Sequence, residues 1–176
     1  MLYAIQVKTG SESRFKKYLN GPADKKEENS PYKIFSPERE LTIKRGGKSS
    51  LCKKTIFPGY IFMETDGIDN SLFAKIKKTK YFTKFLPDNA GPQPLYGKDL
   101  EIISRLINNG EIIPKSKVIF DENNKIRVLE GPLKGMEGMI SKVDRRKCRA
   151  KVRLSLYENN FAVDFGFDCL EKINAE

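Results

Sequence analysis

The run Val128-Leu-Glu-Gly-Pro-Leu-Lys-Gly-Met-Glu-Gly-Met-Ile140 constrains this chain more than any other stretch. Gly131, Gly135 and Gly138 punctuate a short apolar pattern, and Pro132 presets the turn between the first two glycines. Glycine occupies positive φ at no steric cost, so this spacing suits tight turns or bulges. The segment continues at once into Ser-Lys-Val-Asp-Arg-Arg-Lys-Cys-Arg-Ala150. Downstream, Ala150, Val152, Leu154 and Leu156 alternate with Lys151, Arg153 and Ser155. Phe161, Val163, Phe165 and Phe167 likewise alternate with Ala162, Asp164 and Gly166. Such alternation gives one buried and one wet face. Together with Ile126–Glu130 and residues 139–143, these strands predict a small, strongly bent, five-stranded β-barrel with a charged loop projecting from it.

The first part of the chain mixes periods. Leu2–Val7 is a β-branched and aromatic run, and Phe15, Tyr18 and Leu19 follow at helical spacing after the Thr9-Gly10-Ser11 turn. Residues 20–31 read as a polar loop and 32–36 as a short strand. Residues 40–45 and 51–56 flank Gly46-Gly47-Lys48-Ser49-Ser50, a β-hairpin pattern with a basic tip. Phe57-Pro58-Gly59-Tyr60 is a second turn leading into a strand over 61–64. A helix capped at Asp69 or Asn70, a strand over 81–86 and a helix over 98–108 complete this part. The expected fold is therefore α+β. Residues 1–108 form an α/β sandwich, an antiparallel sheet flanked by helices. Residues 109–120 form a linker and residues 121–176 the barrel.

Charge is uneven. Residues 1–120 carry 22 Lys and Arg against 13 Asp and Glu, whereas 121–176 carry 11 against 10. The second module is nearly neutral, with its positive charge gathered around 142–153. A local basic patch points to nucleic acid or an acidic protein surface. Cys52, Cys148 and Cys169 have no metal-ligand spacing, and their odd number fits reduced thiols in a cytoplasm. Histidine is absent, which removes the commonest general base and metal ligand. No paired-carboxylate site replaces it, so neither an enzyme nor a metal or cofactor site is expected. The N-terminal apolar run is too short for a signal peptide, and no segment approaches the ~20 apolar residues that span a bilayer.

Two ordered motifs carry a resemblance. Ile43-Lys-Arg-Gly-Gly-Lys48 followed by Ile56-Phe-Pro-Gly-Tyr-Ile61, and Glu130-Gly-Pro-Leu-Lys-Gly-Met-Glu-Gly138 about 70 residues later, resemble the NusG family of transcription elongation factors. The second segment looks like that family's KOW motif. The opening Tyr3-Ala-Ile-Gln-Val-Lys-Thr-Gly-Ser-Glu12 resembles its first strand, with Leu2-Tyr3 where a Trp-Tyr pair is usual. The basic Lys142-Val-Asp-Arg-Arg-Lys147, the lysine-rich 73–85 stretch and Ile113-Pro-Lys-Ser116 are similar to LoaP, a branch of processive antiterminators.

The resemblance implies partners. Tyr3, Phe57, Pro58, Gly59 and Tyr60 would dock on the clamp helices of RNA polymerase; the alternative is that these aromatics complete a core. Lys44, Arg45 and Lys48 at the hairpin tip would lie near upstream DNA, or simply be solvated. Lys142, Arg145, Arg146, Lys147, Arg149 and Lys151, with Lys134 beside the motif, would bind a structured RNA hairpin. Five of these cations fall within residues 142–149. Leu156 and Tyr157 stand where housekeeping members contact ribosomal protein S10 or the terminator Rho, although Tyr157-Glu-Asn-Asn160 departs from the usual pattern, and Tyr157 serves equally as a strand terminator. The expected protein is a monomeric antitermination factor that suppresses pausing. The alternative is a housekeeping elongation factor coupling polymerase to ribosome or Rho.

Overall fold

The computed structural model describes residues 1–21, 30–87, 91–108, 110–157 and 159–170. Most of the loop read over 20–31, Asn109 and Glu158 of the tip lie outside the described residues. In chain order the elements begin with β1 (Leu2–Val7), α1 (Glu12–Asn20), β2 (Tyr32–Phe35), β3 (Glu38–Arg45) and β4 (Lys48–Thr55). Next come β5 (Tyr60–Thr65), α2 (Asn70–Lys77), β6 (Phe82–Phe85), α3 (Gly97–Ile107) and β7 (Ile112–Ile113). The chain ends with β8 (Ser116–Phe120), β9 (Ile126–Glu130), β10 (Ile140–Asp144), β11 (Arg149–Leu156) and β12 (Asn159–Cys169). The architecture is mixed α+β. It divides into two compact units, Met1–Ser36 with Phe57–Glu101 and Pro37–Ile56 with Ile102–Glu176.

The first unit is built on a four-stranded antiparallel sheet in the order β2-β5-β1-β6. Alternation sends Tyr3, Ile5 and Val7 to one face and Leu2, Ala4 and Gln6 to the other. Ile5, Val7, Ile34, Ile61, Met63 and Phe85 share a buried cluster with Phe15 and Leu19 of α1 and Ile76 of α2. The i, i+4 spacing of Phe15 and Leu19 puts both on the buried face of α1. Asp69 caps α2 by accepting the N–H of Leu72 at 2.7 Å. Beneath them, Lys75 Nζ donates to the Tyr32 hydroxyl and to the Leu19 carbonyl, at 2.9 and 3.1 Å.

The second unit carries a five-stranded sheet in the order β10-β11-β12-β8-β9. Its inner face buries Val118, Val128, Val152, Leu154, Leu156, Val163, Phe165 and Phe167. Each such side chain contributes about 1.5–3 kcal/mol relative to exposure. The barrel's fifth strand comes from the segment read as a linker: β8 pairs with β9 antiparallel and with β12 in parallel. Val118, Ile119 and Phe120 supply the β-branched and aromatic run that this strand requires.

The β3–β4 hairpin, which the sequence reading grouped with residues 1–108, clusters in the structure with the barrel. β3 pairs in parallel with β7, giving the sheet order β4-β3-β7. It also packs on β12. Gly166 permits this approach, because a Cβ there would lie 2.6 Å from the Glu40 carbonyl oxygen. Alongside, Arg39 Nε donates to the Asp164 carbonyl at 2.5 Å.

Candidate nucleic-acid interface

The glycine-rich segment behaves as its spacing suggested. Gly131 adopts φ +98°, and a Cβ on it would stand 2.7 Å from the Ser116 Cα. Ser116 is fully buried, and its Oγ accepts the Leu133 N–H at 3.0 Å, anchoring the turn to β8. Lys134 is exposed on this connection, away from the β10–β11 turn in sequence.

That turn carries the main cationic group. Asp144 Oδ1 accepts the N–H of Lys147 at 2.9 Å, and Cys148 takes a left-handed φ of 51°. The Lys147 N–H, ahead of the charges of Lys147, Arg146 and Lys142, holds the Asp144 carboxyl below the usual carboxylate range. Arg145, Arg146 and Lys147 project from the turn into solvent. Arg145 is nonetheless oriented. Its guanidinium carbon lies 3.7 Å from the centre of the Phe120 ring, and Nη2 donates to Asn124 Oδ1 at 3.0 Å. Asn124 is itself placed by a turn in which Asp121 Oδ1 accepts the N–H groups of Asn123 and Lys125. Sequence reading missed Phe120 and Asn124, because nothing local links them to Arg145.

The register puts Lys142, Arg149 and Lys151 together on the outer face. Lys142 pairs with Lys151, and Asp144 with Arg149. With Lys147, Asp144 and Asp164 they line a concavity of about 160 Å³. Four cations face two carboxylates there, and the cation–carboxylate separations are long: Lys147–Asp144 and Lys151–Asp164 both stand at 3.8 Å. Arg149 Nη2 donates to the Thr42 carbonyl at 3.4 Å, while its buried Nε has no hydrogen-bond partner among the described residues. Burial lowers the pKa of Arg39, Asp164 opposes that shift and Arg149 adds to it. An arginine so placed stays cationic.

At the tip of the β3–β4 hairpin, Gly46 and Gly47 take φ of 56° and 75°. Positive φ at both central residues is the geometry of a two-residue turn matched to strand twist. Lys44, Arg45 and Lys48 are exposed, and Arg45 stands directly opposite Lys48 in the register. Like charges so opposed cost stability unless an anion sits on them.

The other candidates are placed differently. Phe57 is fully buried with its ring edge-on to Phe62 at 5.6 Å, and Tyr3 and Tyr60 retain only 5% and 9% exposure. Tyr3 pairs with Met63 and Tyr60 with Gln6, so the two tyrosines lie on opposite faces of the sheet. Burial raises the pKa of the Tyr60 phenol. Pro58 is the exposed apex of the turn, and Gly59 is held by its N–H bond to the buried Glu12 carboxylate at 2.6 Å. Leu156 is fully buried in the barrel, and Tyr157 is half-buried at a φ of 45°. Among the described residues no cluster of His, Cys, Asp and Glu could hold a metal ion, and no helix is long and apolar enough to cross a membrane.

A family model described as "Transcription termination factor nusG" matches residues 2–104, more than half of the chain. The chain belongs to the NusG family. A KOW motif model matches residues 122–154, which span the glycine segment and the cationic turn. NusG relatives resemble the chain end to end. The transcription termination/antitermination protein NusG of Helicobacter pylori (strain ATCC 700392 / 26695) is 28% identical over 97% of each chain. The protein of that name from Bacillus subtilis (strain 168) is 26% identical, again over 97% of each. A solved structure described as "Domain interaction in Thermotoga maritima NusG" shares the fold at a TM-score of 0.56 and 20% identity, covering 94% of this chain and 92% of that one. NusG family members are transcription factors of the termination and antitermination class rather than enzymes.

Proposed function

We propose that this NusG family member binds elongating RNA polymerase through its first unit and a structured RNA through its second, suppressing pausing and termination. The observation that carries this reading is the β10–β11 turn. Arg145 is held over the Phe120 ring, its guanidinium carbon 3.7 Å from the ring centre, while the residue stays exposed, and Arg146 and Lys147 stand exposed beside it. A planar guanidinium held in place can stack on an unpaired base and pair bidentately with phosphate or guanine, which suits a hairpin loop. A solvated charge cluster would not need this scaffold. Lys142, Arg149, Lys151 and, on the neighbouring connection, Lys134 extend the surface toward backbone phosphates.

In the first unit, the 57–60 turn would meet the clamp helices of polymerase. Phe57 and Tyr60 serve that dock as its buried foundation, Gly59 fixes the turn and Pro58 is its exposed apex, while Tyr3 braces the sheet from the opposite face. Holding polymerase in one state requires only preferential binding to that state, so no catalysis is involved. Joining two weak contacts in one chain raises their effective concentration. In this division of labour the first unit, residues 1–36 with 57–101, is the polymerase module, and the second, which takes in β3, β4 and β8, is the RNA module. Its natural setting is the cytoplasm, and a monomer suffices.

Transcription by purified polymerase across an intrinsic terminator, with and without a leader RNA stem–loop upstream, tests the reading. RNA-dependent readthrough that is lost on Arg145→Ala/Arg146→Ala substitution is expected. Readthrough indifferent to both the RNA and these arginines would instead favour a housekeeping factor that couples polymerase to the ribosome, through S10, or to Rho by way of Tyr157.

A further inference from the structure

We infer that the β3–β4 hairpin and the β10–β11 turn form one composite surface that grips a single RNA stem, rather than two arms for separate nucleic acids. The inference rests on the RNA reading above and adds the hairpin to it. Three observations in the second unit carry it. First, the hairpin is docked on the barrel: Gly166 receives the Glu40 carbonyl, and Arg39 donates to the Asp164 carbonyl. Second, the dock brings the two cation groups together. Arg149 of the barrel donates to Thr42 of the hairpin. From Thr42 the tip residue Arg45 is three residues on, at most about 10 Å, and Arg146 is equally close to Arg149 in the turn before β11. Allowing for the length of the Arg149 side chain, the backbone positions of the group fall within a span of roughly 35 Å at most, less than the ~16 base pairs that a double-stranded-RNA-binding module covers. Third, the tip is cationic without local relief. Arg45 faces Lys48 across the hairpin and Lys44 faces Ser49, so its cross-strand partners include no carboxylate.

The same geometry divides the work. Arg145, held over Phe120, is set to stack at a loop or bulge. The hairpin tip and the Lys142, Arg149 and Lys151 face supply point charges along the stem. Arg39 serves as a positioning residue, bonding the Asp164 and Thr55 carbonyls and so fixing the hairpin against β12.

The test titrates the full chain with a fluorescent RNA stem–loop of about 16 base pairs across a salt series, with folding of each variant checked by circular dichroism. Lys44→Ala/Arg45→Ala/Lys48→Ala is expected to weaken binding about tenfold or more. It should also reduce the slope of log affinity against log salt by about three, one for each lost phosphate contact. Gly166→Ala keeps every cation but forces β3 away from β12, so a composite surface predicts weaker binding, and independent arms predict parental affinity. If the triple variant binds with parental affinity and slope while Arg145→Ala/Arg146→Ala loses binding, the RNA reading stands and the composite surface is overturned. If the parent chain itself binds no stem–loop, both fall.

Discussion

The carboxylate of Glu12, in the first turn of α1, accepts the backbone N–H of Gly59 at 2.6 Å and so ties that helix to the 57–60 turn. Both residues are buried, and Gly59 takes φ +84° with Val7 and Thr9 packed against it. The apex that we assign to polymerase thus rests on a hydrogen bond from an element remote in sequence. Glu12→Ala leaves a buried N–H unsatisfied and should destabilise the chain by about 1–3 kcal/mol. Glu12→Gln retains an acceptor and should cost less. Urea denaturation of the three proteins would show this order, and equal losses for Ala and Gln would refute it.

Within the KOW segment the glycines are not equivalent. Gly131→Ala forces a side chain into a left-handed backbone and against Ser116, so a loss above about 1–2 kcal/mol is expected. Gly138 has open space around its Cβ position and no positive φ, and Gly138→Ala should stay within about 0.5 kcal/mol. Thermal melts of the two variants side by side decide whether packing against β8 sets the first position.

Arg145 offers a sharper distinction between stacking and charge. Arg145→Lys keeps the cation and loses the planar fork. If the guanidinium stacks on a base, the lysine variant should lose about 1–3 kcal/mol of RNA affinity, close to the loss in Arg145→Ala. Retention of parental affinity by the lysine variant would reduce the residue to a point charge.

The shifted carboxyl of Asp144 gives a pH signature. Its folded pKa lies below the value of an unfolded aspartate, about 3.9, because the Lys147 N–H donates to the charged form. The resulting contribution to stability is present above that unfolded value and is lost as pH falls through the lower, folded one. Carboxyl-detected NMR titration should place the Asp144 midpoint below that of a free aspartate, and Lys147→Pro, which removes the N–H, should move it upward. A midpoint at or above the free value would show that the turn does not hold.

Local pattern carried much of this fold into view. The strict alternation of 150–156 and the Gly46-Gly47 tip translate directly into β11 and the β3–β4 turn, because each depends on neighbours in sequence. β8 was hidden by Pro114 and by the polar Lys115, Ser116 and Lys117, which look like a tether. Its membership is decided by parallel pairing with β12, a contact with no local signature. The docking of β3 on β12 was hidden for the same reason, although Gly166 in an otherwise apolar alternation was a readable trace of close backbone approach. The 57–60 aromatics show the limit from the other side. The resemblance marks them as anchors, with completion of a core as the alternative, and the packed structure buries Phe57 and Tyr60 and puts Tyr3 on the opposite face.

β4 is the terminal strand of its three-stranded sheet, and Lys48, Lys53 and Lys54 punctuate its length. Recruiting a second molecule by edge-to-edge pairing would strip water from these ammonium groups while crowding them against their own copies. The hairpin therefore carries its own safeguard against self-association. On the proposed RNA reading, copies crowded along one transcript would stay separate even as they compete for the same polyanion.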